Sequence, residues 1–230
     1  MRLRLPALAA AALGILLPCA SSASETTESI PAARVNGVAI ERAAVHELVK
    51  GLARSEPTPP GTERVGHLTM AALESLIDLE LLYQEATRTK VPLSDTEIET
   101  EIAKLRRHFD SEKSFEAALA KRGLTPAGLR LDTRRTLLAD RLLQRTVWRG
   151  VSVSSEEIQA FYSDNESRLE KSLDDLQDSI ALMLLDDKKA ELRAQFIAGL
   201  RKKATIERLP PFGDPFPKPD RHAGGESSGD

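Results

Sequence analysis

The sequence predicts a mainly α-helical protein, in which several helices precede a long C-terminal helix and a small two-stranded β element joins the two ends. Three observations support this fold class. Apolar residues make up 41% of the 230 residues but aromatic residues only 4%, whereas β-sheet proteins use more β-branched and aromatic side chains. Apolar residues recur every three or four positions along most of the chain, which is the helical period. No glycine or proline occurs between Gly150 and Gly199.

The N-terminal residues are typical of an export signal. Arg2 and Arg4 precede an apolar run over 5–17, and small residues follow at 20–24, so we expect cleavage after Ala23. The tail is rich in Pro, Gly, Asp and Ser, which predicts disorder. The expected organisation is a signal peptide at 1–23, a flexible lead at 24–33, a helical domain at 34–209 and a disordered tail at 210–230.

The single cysteine, Cys19, raises the alternative of a lipoprotein signal. Pro18 disfavours it, because a lipoprotein signal needs a small residue directly before the cysteine. An uncleaved membrane anchor is also disfavoured, because the apolar run over 5–17 is shorter than the roughly 20 residues that cross a bilayer. Cleavage after Ala23 would leave no cysteine and therefore no disulfide. We expect a periplasmic protein without stable membrane insertion.

The first part of the domain predicts a β turn and two helices. The segment 34–40 has a β pattern around Asn36-Gly37, a pair that favours tight hairpin turns. Apolar periodicity predicts a helix over 42–54. Residues 55–67 contain three prolines and two glycines, which predict a loop. A wide apolar stripe over 68–90 predicts a centrally buried helix.

Short polar signals divide the middle of the chain into further helices. The sequence S-D-T-E at 94–97 is a capping box that opens a helix. A short helix follows and stops at Gly123, a residue suited to the left-handed position after a helix end. Thr125-Pro126 begins the next helix, which should reach about residue 149. A second capping box, S-S-E-E at 154–157, opens the last helical region.

The region from about 155 to 203 predicts one very long helix, or two helices with a break near Asp186-Asp187. A single straight helix over most of this region would be about 70 Å long at a rise of 1.5 Å per residue. The segment 204–209 then has a brief β pattern, and we expect it to pair with the strand near Val38. That pairing would bring the two ends of the domain together.

These segments, in this order, resemble the N-terminal chaperone domain of SurA and related periplasmic parvulin-type folding factors. The resemblance is carried by V-N-G-V-A-I, L-I-D-L-E-L-L-Y-Q-E-A, V-P-L-S-D-T-E-I-E-T-E-I, F-E-A-A-L-A-K-R-G-L-T-P-A-G-L-R and S-S-E-E-I-Q-A-F-Y-S-D-N. The later A-E-L-R-A-Q-F-I-A-G-L-R-K-K-A-T-I-E resembles the returning helix and strand of that family. A parvulin isomerase domain usually lies between the last two segments. Here about twenty residues of amphipathic helix join them, too few for a domain.

The remaining motifs do not favour an enzyme. Four histidines are scattered along the chain without the spacing of a zinc site, and no phosphate-binding loop or G-x-S-x-G is present. The acidic pairs Asp174-Asp175 and Asp186-Asp187 fit solvated helix faces better than a cation site. We therefore expect no metal and no cofactor. Loss of Arg2 and Arg4 would leave 30 basic and 35 acidic residues, without the basic stripe of a nucleic-acid-binding protein.

We expect the protein to bind other polypeptides. The resemblance implies an ATP-independent chaperone, a holdase, for unfolded exported or outer-membrane polypeptides. Their apolar segments would enter a cleft between the central helices and the long helix, because apolar contact is non-directional and accepts many sequences. Ordinary core packing is the commoner role of each candidate taken singly. The client-binding candidates are Leu79, Phe109, Phe115, Leu129, Phe161 and Tyr162.

Two other functions stay open at this point. One is a diverged peptidyl-prolyl cis-trans isomerase, which the missing parvulin module disfavours. The other is a helical assembly partner that binds no client. In that case the apolar steps of the long helix would pair with a second copy, and the protein would be a homodimer.

Overall fold

A computed structural model describes residues 30–55, 60–169 and 171–212. The predicted signal peptide, most of the lead and nearly all of the tail lie outside the described residues. The described chain is mainly helical, with a small sheet, as predicted. The seven helices are α1 Arg42–Arg54, α2 Thr62–Arg88, α3 Asp95–Arg106, α4 Glu112–Lys121, α5 Pro126–Thr146, α6 Ser155–Asn165 and α7 Leu173–Arg201.

The sheet joins the two ends of the domain, but it has three strands rather than two. Strands β1 Pro31–Val35 and β2 Val38–Glu41 form a hairpin, and β3 Ile206–Arg208 pairs antiparallel with β1, in the order β2-β1-β3. The prediction that β3 pairs near Val38 was therefore wrong. The chain enters the sheet at Pro31, inside the segment predicted as a flexible lead, and β1 takes the central position.

The hairpin turn has the geometry that its sequence predicts. Asn36 and Gly37 both have positive φ, 51° and 85°, as the two central residues of a type I′ turn require. Asn36 also ties the turn to the C-terminal strand, because its backbone N–H donates to Thr205 O at 2.8 Å and its side-chain oxygen accepts from Thr205 N at 2.8 Å. One short turn thus connects β2, β1 and the approach to β3.

Helix α2 starts earlier than predicted. Residues 55–67 were expected to form a loop, but the helix begins at Thr62 with Gly61 as its N-cap. The three prolines all precede Gly61, so they do not interrupt the helix, and Gly66 alone is tolerated in its interior. Helix α2, 27 residues long, is the central helix of the domain, because it contacts β1, α1, α5 and α7.

The predicted local helix signals are confirmed at three places. Ser94 and Ser154 form capping boxes with Glu97 and Glu157, in which each serine accepts from the glutamate N–H at 3.3 Å. The Thr125 hydroxyl accepts from Gly128 N at 3.0 Å at the start of α5. These bonds satisfy helix N–H groups that have no partner inside the helix.

The last helical region breaks at a different place from the one predicted. Helix α6 ends at Asn165, a 3₁₀ turn follows at Glu166–Arg168, and α7 begins at Leu173. Helix α7 runs through Asp186-Asp187 without interruption for 29 residues, a length of about 43 Å. The break lies at Ser172, whose hydroxyl caps α7 by accepting from Asp175 N at 3.4 Å.

Three apolar clusters hold these elements together. The sheet cluster joins β1, β2, α1 and the first half of α2, the central cluster joins α2, α5 and α7, and the distal cluster joins α3 and α4 to α5. The sheet cluster contains Val35, Val45, Leu73 and Ile77. The central cluster contains Leu82, Leu138, Leu142 and Ile197. The distal cluster contains Ile98, Ile102, Phe115 and Leu119. Helices α1 and α4 therefore belong to different packing units.

Candidate functional site

An open groove lies between α1 and α4, and we call it the α1–α4 groove. It encloses about 780 Å³. Its apolar lining residues are Ala53 on α1, Ala118 on α4 and Pro60. The groove exists because α1 packs in the sheet cluster and α4 in the distal cluster, so no core side chains fill the space between them.

Basic side chains surround the groove. Lys50 and Arg54 lie on its α1 side, and Lys121 and Arg122 on its α4 side. Glu47 is the acidic lining residue, and its pKa is lowered chiefly by the hydrogen bond from Lys50 Nζ at 2.6 Å. This pair is internally neutral, so Arg54, Lys121 and Arg122 leave the lining with an excess of positive charge. The aliphatic stems of these side chains add apolar surface below their charged ends.

The cleft expected between the central helices and the long helix is filled by side chains. The central cluster occupies the interface of α2, α5 and α7, with Leu142 and Leu143 almost fully buried. A smaller pocket of about 250 Å³ remains between α2 and the end of α7. Gln84, Glu85, Arg88 and Lys203 make its lining largely polar, and Gln84 is engaged by Asn36 at 2.7 Å.

The six candidate residues lie in three places rather than around one cleft. Phe109, Phe115 and Leu129 all belong to the distal cluster, where the two phenylalanine rings meet edge to face at 5.3 Å. Phe115 is only 3% exposed, so it is a core residue in this conformation. Leu79 packs half-buried on the central cluster. Phe161 and Tyr162 lie on α6.

Helix α6 carries the remaining two candidates, Phe161 and Tyr162, both half-buried. The Tyr162 hydroxyl donates to Lys171 O at 3.1 Å, and the Asn165 amide donates to Phe161 O at 2.8 Å. Helix α6 packs against α7, where Lys188 Nζ reaches Glu157 of α6 at 2.6 Å. We call residues 155–191, which comprise α6, the connection and α7 as far as residue 191, the α6–α7 hairpin.

Sequence reasoning missed the most exposed apolar side chains of the α6–α7 hairpin. Leu182 is 64% exposed and Met183 39%. The signal that could have found them is the run of six consecutive apolar residues at 180–185, because a helix that is apolar all round needs packing partners on every side. The groove residues had no such signal, because alanine, lysine and arginine occur on most helix surfaces.

A charged clamp holds the returning C-terminal segment on α2. Arg201 at the end of α7 donates to Asp78 Oδ1 at 2.7 Å and to Glu74 Oε2 at 2.6 Å, and Arg208 of β3 donates to Glu74 Oε1 at 2.8 Å. Burial raises the pKa of Glu74, but the hydrogen bonds from Arg208 and Arg201 outweigh burial and leave this pKa below its ordinary value. The clamp closes the domain as a single unit.

The described residues contain no arrangement suited to metal catalysis. In the ranges 30–55, 60–169 and 171–212, no three histidine, aspartate or glutamate side chains come together as metal ligands. His67 faces Glu63 at 3.9 Å with both side chains largely in solvent, and the His108 ring lies 3.0 Å from the backbone oxygen of Lys104.

Comparison with known proteins agrees with this architecture. The sequence profile of the SurA-like N-terminal domain matches residues 7–143, which is more than half of the chain. The chain belongs to the SurA-like N-terminal domain family. The resemblance drawn from the sequence is thereby confirmed. In the described part of the chain, only residues 166–172 separate α6 from α7.

Curated relatives of this SurA-like chain are named as chaperones or foldases. Chaperone SurA of Pseudomonas aeruginosa is 31% identical over 129 residues, which cover 56% of this chain and 30% of the relative. Foldase protein PrsA of Caldanaerobacter subterraneus is 26% identical over 213 residues, 85% of this chain and 62% of the relative. Chaperone SurA of Chromobacterium violaceum is 33% identical over 118 residues, which cover 51% of this chain and 27% of the relative. The chain spans less than two thirds of each of these relatives.

Within the residues that the structure describes, no helix is both long enough and apolar enough to qualify as a transmembrane segment.

Proposed function

We propose that this SurA-like protein is an ATP-independent holdase that binds unfolded exported polypeptides in the α1–α4 groove. Membership of the SurA-like N-terminal domain family supports a role in protein folding. The names of the relatives, chaperone and foldase, support the same class. Outer-membrane polypeptides are the proposed clients, and the periplasm is the proposed location, in keeping with the signal-like first 23 residues.

The observation that carries this proposal is the groove itself. Its volume of about 780 Å³ lies within the 300–1,000 Å³ of sites that enclose a ligand. Its apolar lining can cover a short apolar stretch of client, and such contacts require no particular sequence. Its open form permits a chain to pass through without an end being inserted.

The proposed affinity is modest, because the groove offers small apolar residues and solvated charges. We expect dissociation constants on the order of micromolar, equivalent to about −8 kcal/mol. Weak binding suits a holdase that must release its client. Release would be spontaneous or driven by folding of the client, since the sequence has no phosphate-binding loop for ATP.

The test places one bulky charged residue in the groove. We expect Ala118→Arg to weaken binding about tenfold, a loss of about 1.4 kcal/mol, because the side chain fills the groove and must be desolvated by any client. The matched control is Ala120→Arg, on the same helix but outside the groove lining. Both substitutions keep a strong helix former at the position.

The assay is suppression of light scattering when an unfolded outer-membrane protein is diluted from denaturant. If Ala118→Arg and Ala120→Arg suppress aggregation equally well, the groove is not the client site. The variants Phe161→Asp and Tyr162→Asp test the alternative surface on α6. Loss of suppression in these variants only, with helicity retained, would move the site to the α6–α7 hairpin.

Peptidyl-prolyl isomerisation is the second candidate function. The observation in its favour is the foldase name of the PrsA relative, whose aligned region covers 85% of this chain. We propose that the chain binds without isomerising. A refolding reaction limited by proline isomerisation tests this, with the purified protein in excess over the client. Acceleration that persists in the Ala118→Arg variant would establish an isomerase and contradict the proposal.

A further inference from the structure

The α6–α7 hairpin has a second exposed surface, on the side of α7 that α6 does not cover. Ile180 is buried, and Leu182 lies two residues further along the helix. Two residues correspond to about 200° of rotation around an α-helix, so Leu182 points away from the buried side. The hydrogen bonds from Lys188 to Ser152 at 2.9 Å and from Tyr162 to Lys171 at 3.1 Å hold α6 along the opposite side.

Acidic side chains flank this exposed leucine one turn away in each direction. Asp178 and Asp186 stand four residues before and after Leu182, which places all three on one face of α7, with about 6 Å of axial rise between neighbours. All three side chains are exposed. In the described part of the chain, neither aspartate takes part in an ion pair or a side-chain hydrogen bond. We call Asp178, Leu182, Met183 and Asp186 the Leu182 face.

The α6–α7 hairpin as a whole is acidic. Residues 155–191 contain eleven acidic and four basic residues, a formal net charge of −7, whereas the complete chain has −3. The α1–α4 groove carries the opposite sign, with four basic and one acidic lining residue. The two surfaces of the molecule therefore select partners of opposite charge.

A second copy of this chain is a poor occupant of the Leu182 face. In a parallel two-fold contact each aspartate faces its own counterpart. In an antiparallel contact centred on Leu182, Asp178 faces Asp186 of the other copy. Both arrangements place like charges beside the apolar contact, which is unfavourable. An anionic membrane surface would be repelled by the same charges.

We propose that the Leu182 face docks an amphipathic helix of a partner protein that carries lysine or arginine one turn on either side of an apolar residue. The apolar side chain would cover Leu182 and Met183, while the two cations would pair with Asp178 and Asp186. Such a helix would add a third layer to the α6–α7 hairpin and bury apolar surface that two helices leave exposed. The inference is independent of client binding in the groove.

The test uses two synthetic helical peptides and the full-length protein. The first has a leucine stripe with lysine four residues before and after a central leucine, and the second replaces those lysines with glutamate. Fluorescence anisotropy at low and high salt measures binding. We expect micromolar binding of the lysine peptide, weaker at high salt because exposed charges are screened, and no binding of the glutamate peptide up to about 1 mM.

Substitutions on the face identify the site. Leu182→Gln, and Asp178→Asn combined with Asp186→Asn, should each weaken binding about tenfold. Leu105→Gln, at an exposed leucine on α3, and Ala118→Arg in the groove should leave it unchanged. Because loss of groove function does not alter this result, failure of the two proposals can be told apart.

Three outcomes would overturn the inference. The first is equal binding of the lysine and glutamate peptides, and the second is unchanged affinity in the Leu182→Gln variant with normal circular dichroism. The third is a stable dimer in sedimentation that Leu182→Gln dissociates, which would show that a second copy occupies the face. Binding of the lysine peptide that depends on Leu182 and both aspartates supports it.

Discussion

Replacing Arg201 by methionine should destabilise the domain by releasing the C-terminal return. Arg201 links α7 to two acidic side chains of α2, with hydrogen bonds of 2.6 Å to Glu74 and 2.7 Å to Asp78. Methionine has a similar length and helix propensity to arginine, but its side chain cannot donate a hydrogen bond. Glu74 would keep Arg208 as a partner, whereas Asp78 would lose the ion pair that the structure shows for it.

The expected size of the effect follows from the burial of the clamp. The side chains of Arg201, Glu74 and Asp78 are 26%, 32% and 24% exposed, so the charges are partly shielded from water. Hydrogen bonds to charged groups contribute roughly 1.5–3 kcal/mol each, and breaking a buried pair costs about 3–5 kcal/mol. For this half-buried clamp we expect a loss of about 2–3 kcal/mol. That corresponds to a fall in Tm of roughly 5–10 °C for a domain of this size.

The assay is urea and thermal unfolding followed by circular dichroism. Lys202→Met is the matched control, because it removes one positive charge from the exposed neighbouring position. The folded-state pKa of Glu74 is lowered, so its contribution is present above the ordinary glutamate pKa and is lost as pH falls through the folded-state value. The difference between Arg201→Met and the natural protein should therefore shrink in acid. A loss no larger than that of Lys202→Met would refute the reasoning.

Two further predictions concern local features of α2 and α3. Lys90 adopts φ +53° after the end of α2, where its N–H donates to Thr87 O and the N–H of Val91 donates to Ala86 O. Lys90→Gly should therefore stabilise the protein by about 0.5–1 kcal/mol in urea unfolding. The control Glu116→Gly, inside α4, should instead destabilise it by about 1 kcal/mol. Hydrogen bonds from Arg141, and then from Ser94, lower the pKa of Glu97 to about 2. Glu97→Gln should therefore lower stability above about pH 4.3, and this difference should disappear as pH falls toward 2; a constant difference down to that pH would contradict it.

Local sequence chemistry predicted most helix ends of this protein. Ser94, Thr125 and Ser154 were identified as N-caps from sequence, and each accepts the expected backbone N–H. Gly123 has the left-handed φ, 66°, expected after α4. These features depend on hydrogen bonds between residues about three positions apart, so the sequence around them contains the needed information.

Features that depend on distant residues were predicted less well. The β3 strand was expected to pair near Val38, but it pairs with β1, because Pro31–Val35 occupies the centre of the sheet. The break in the last helical region was expected near Asp186-Asp187 and lies before Leu173. A local N-cap signal was present here, since Ser172 is followed three residues later by Asp175. The apolar residues continue at helical spacing on both sides of it, and this pattern predicted an unbroken helix.

The candidate site depends even more on contacts between residues that are distant in the sequence. Phe115 was chosen as a client-binding residue by its type, and it is buried against Phe109. The groove is instead lined by small and basic residues such as Ala118 and Lys121. Nothing in these residue types predicts a groove, because it arises from the separate packing of α1 and α4 in two clusters.

The sequence by itself determined the helical class, the helix ends and the membership of a chaperone family, because helical period and caps are properties of neighbouring residues. The tertiary structure alone decided which apolar side chains stay in contact with water. Leu142 and Leu182 are the same residue type in the interior of α-helices, yet the first is buried and the second is exposed. The difference comes from their neighbours, since α2 and α7 cover one and no described element covers the other.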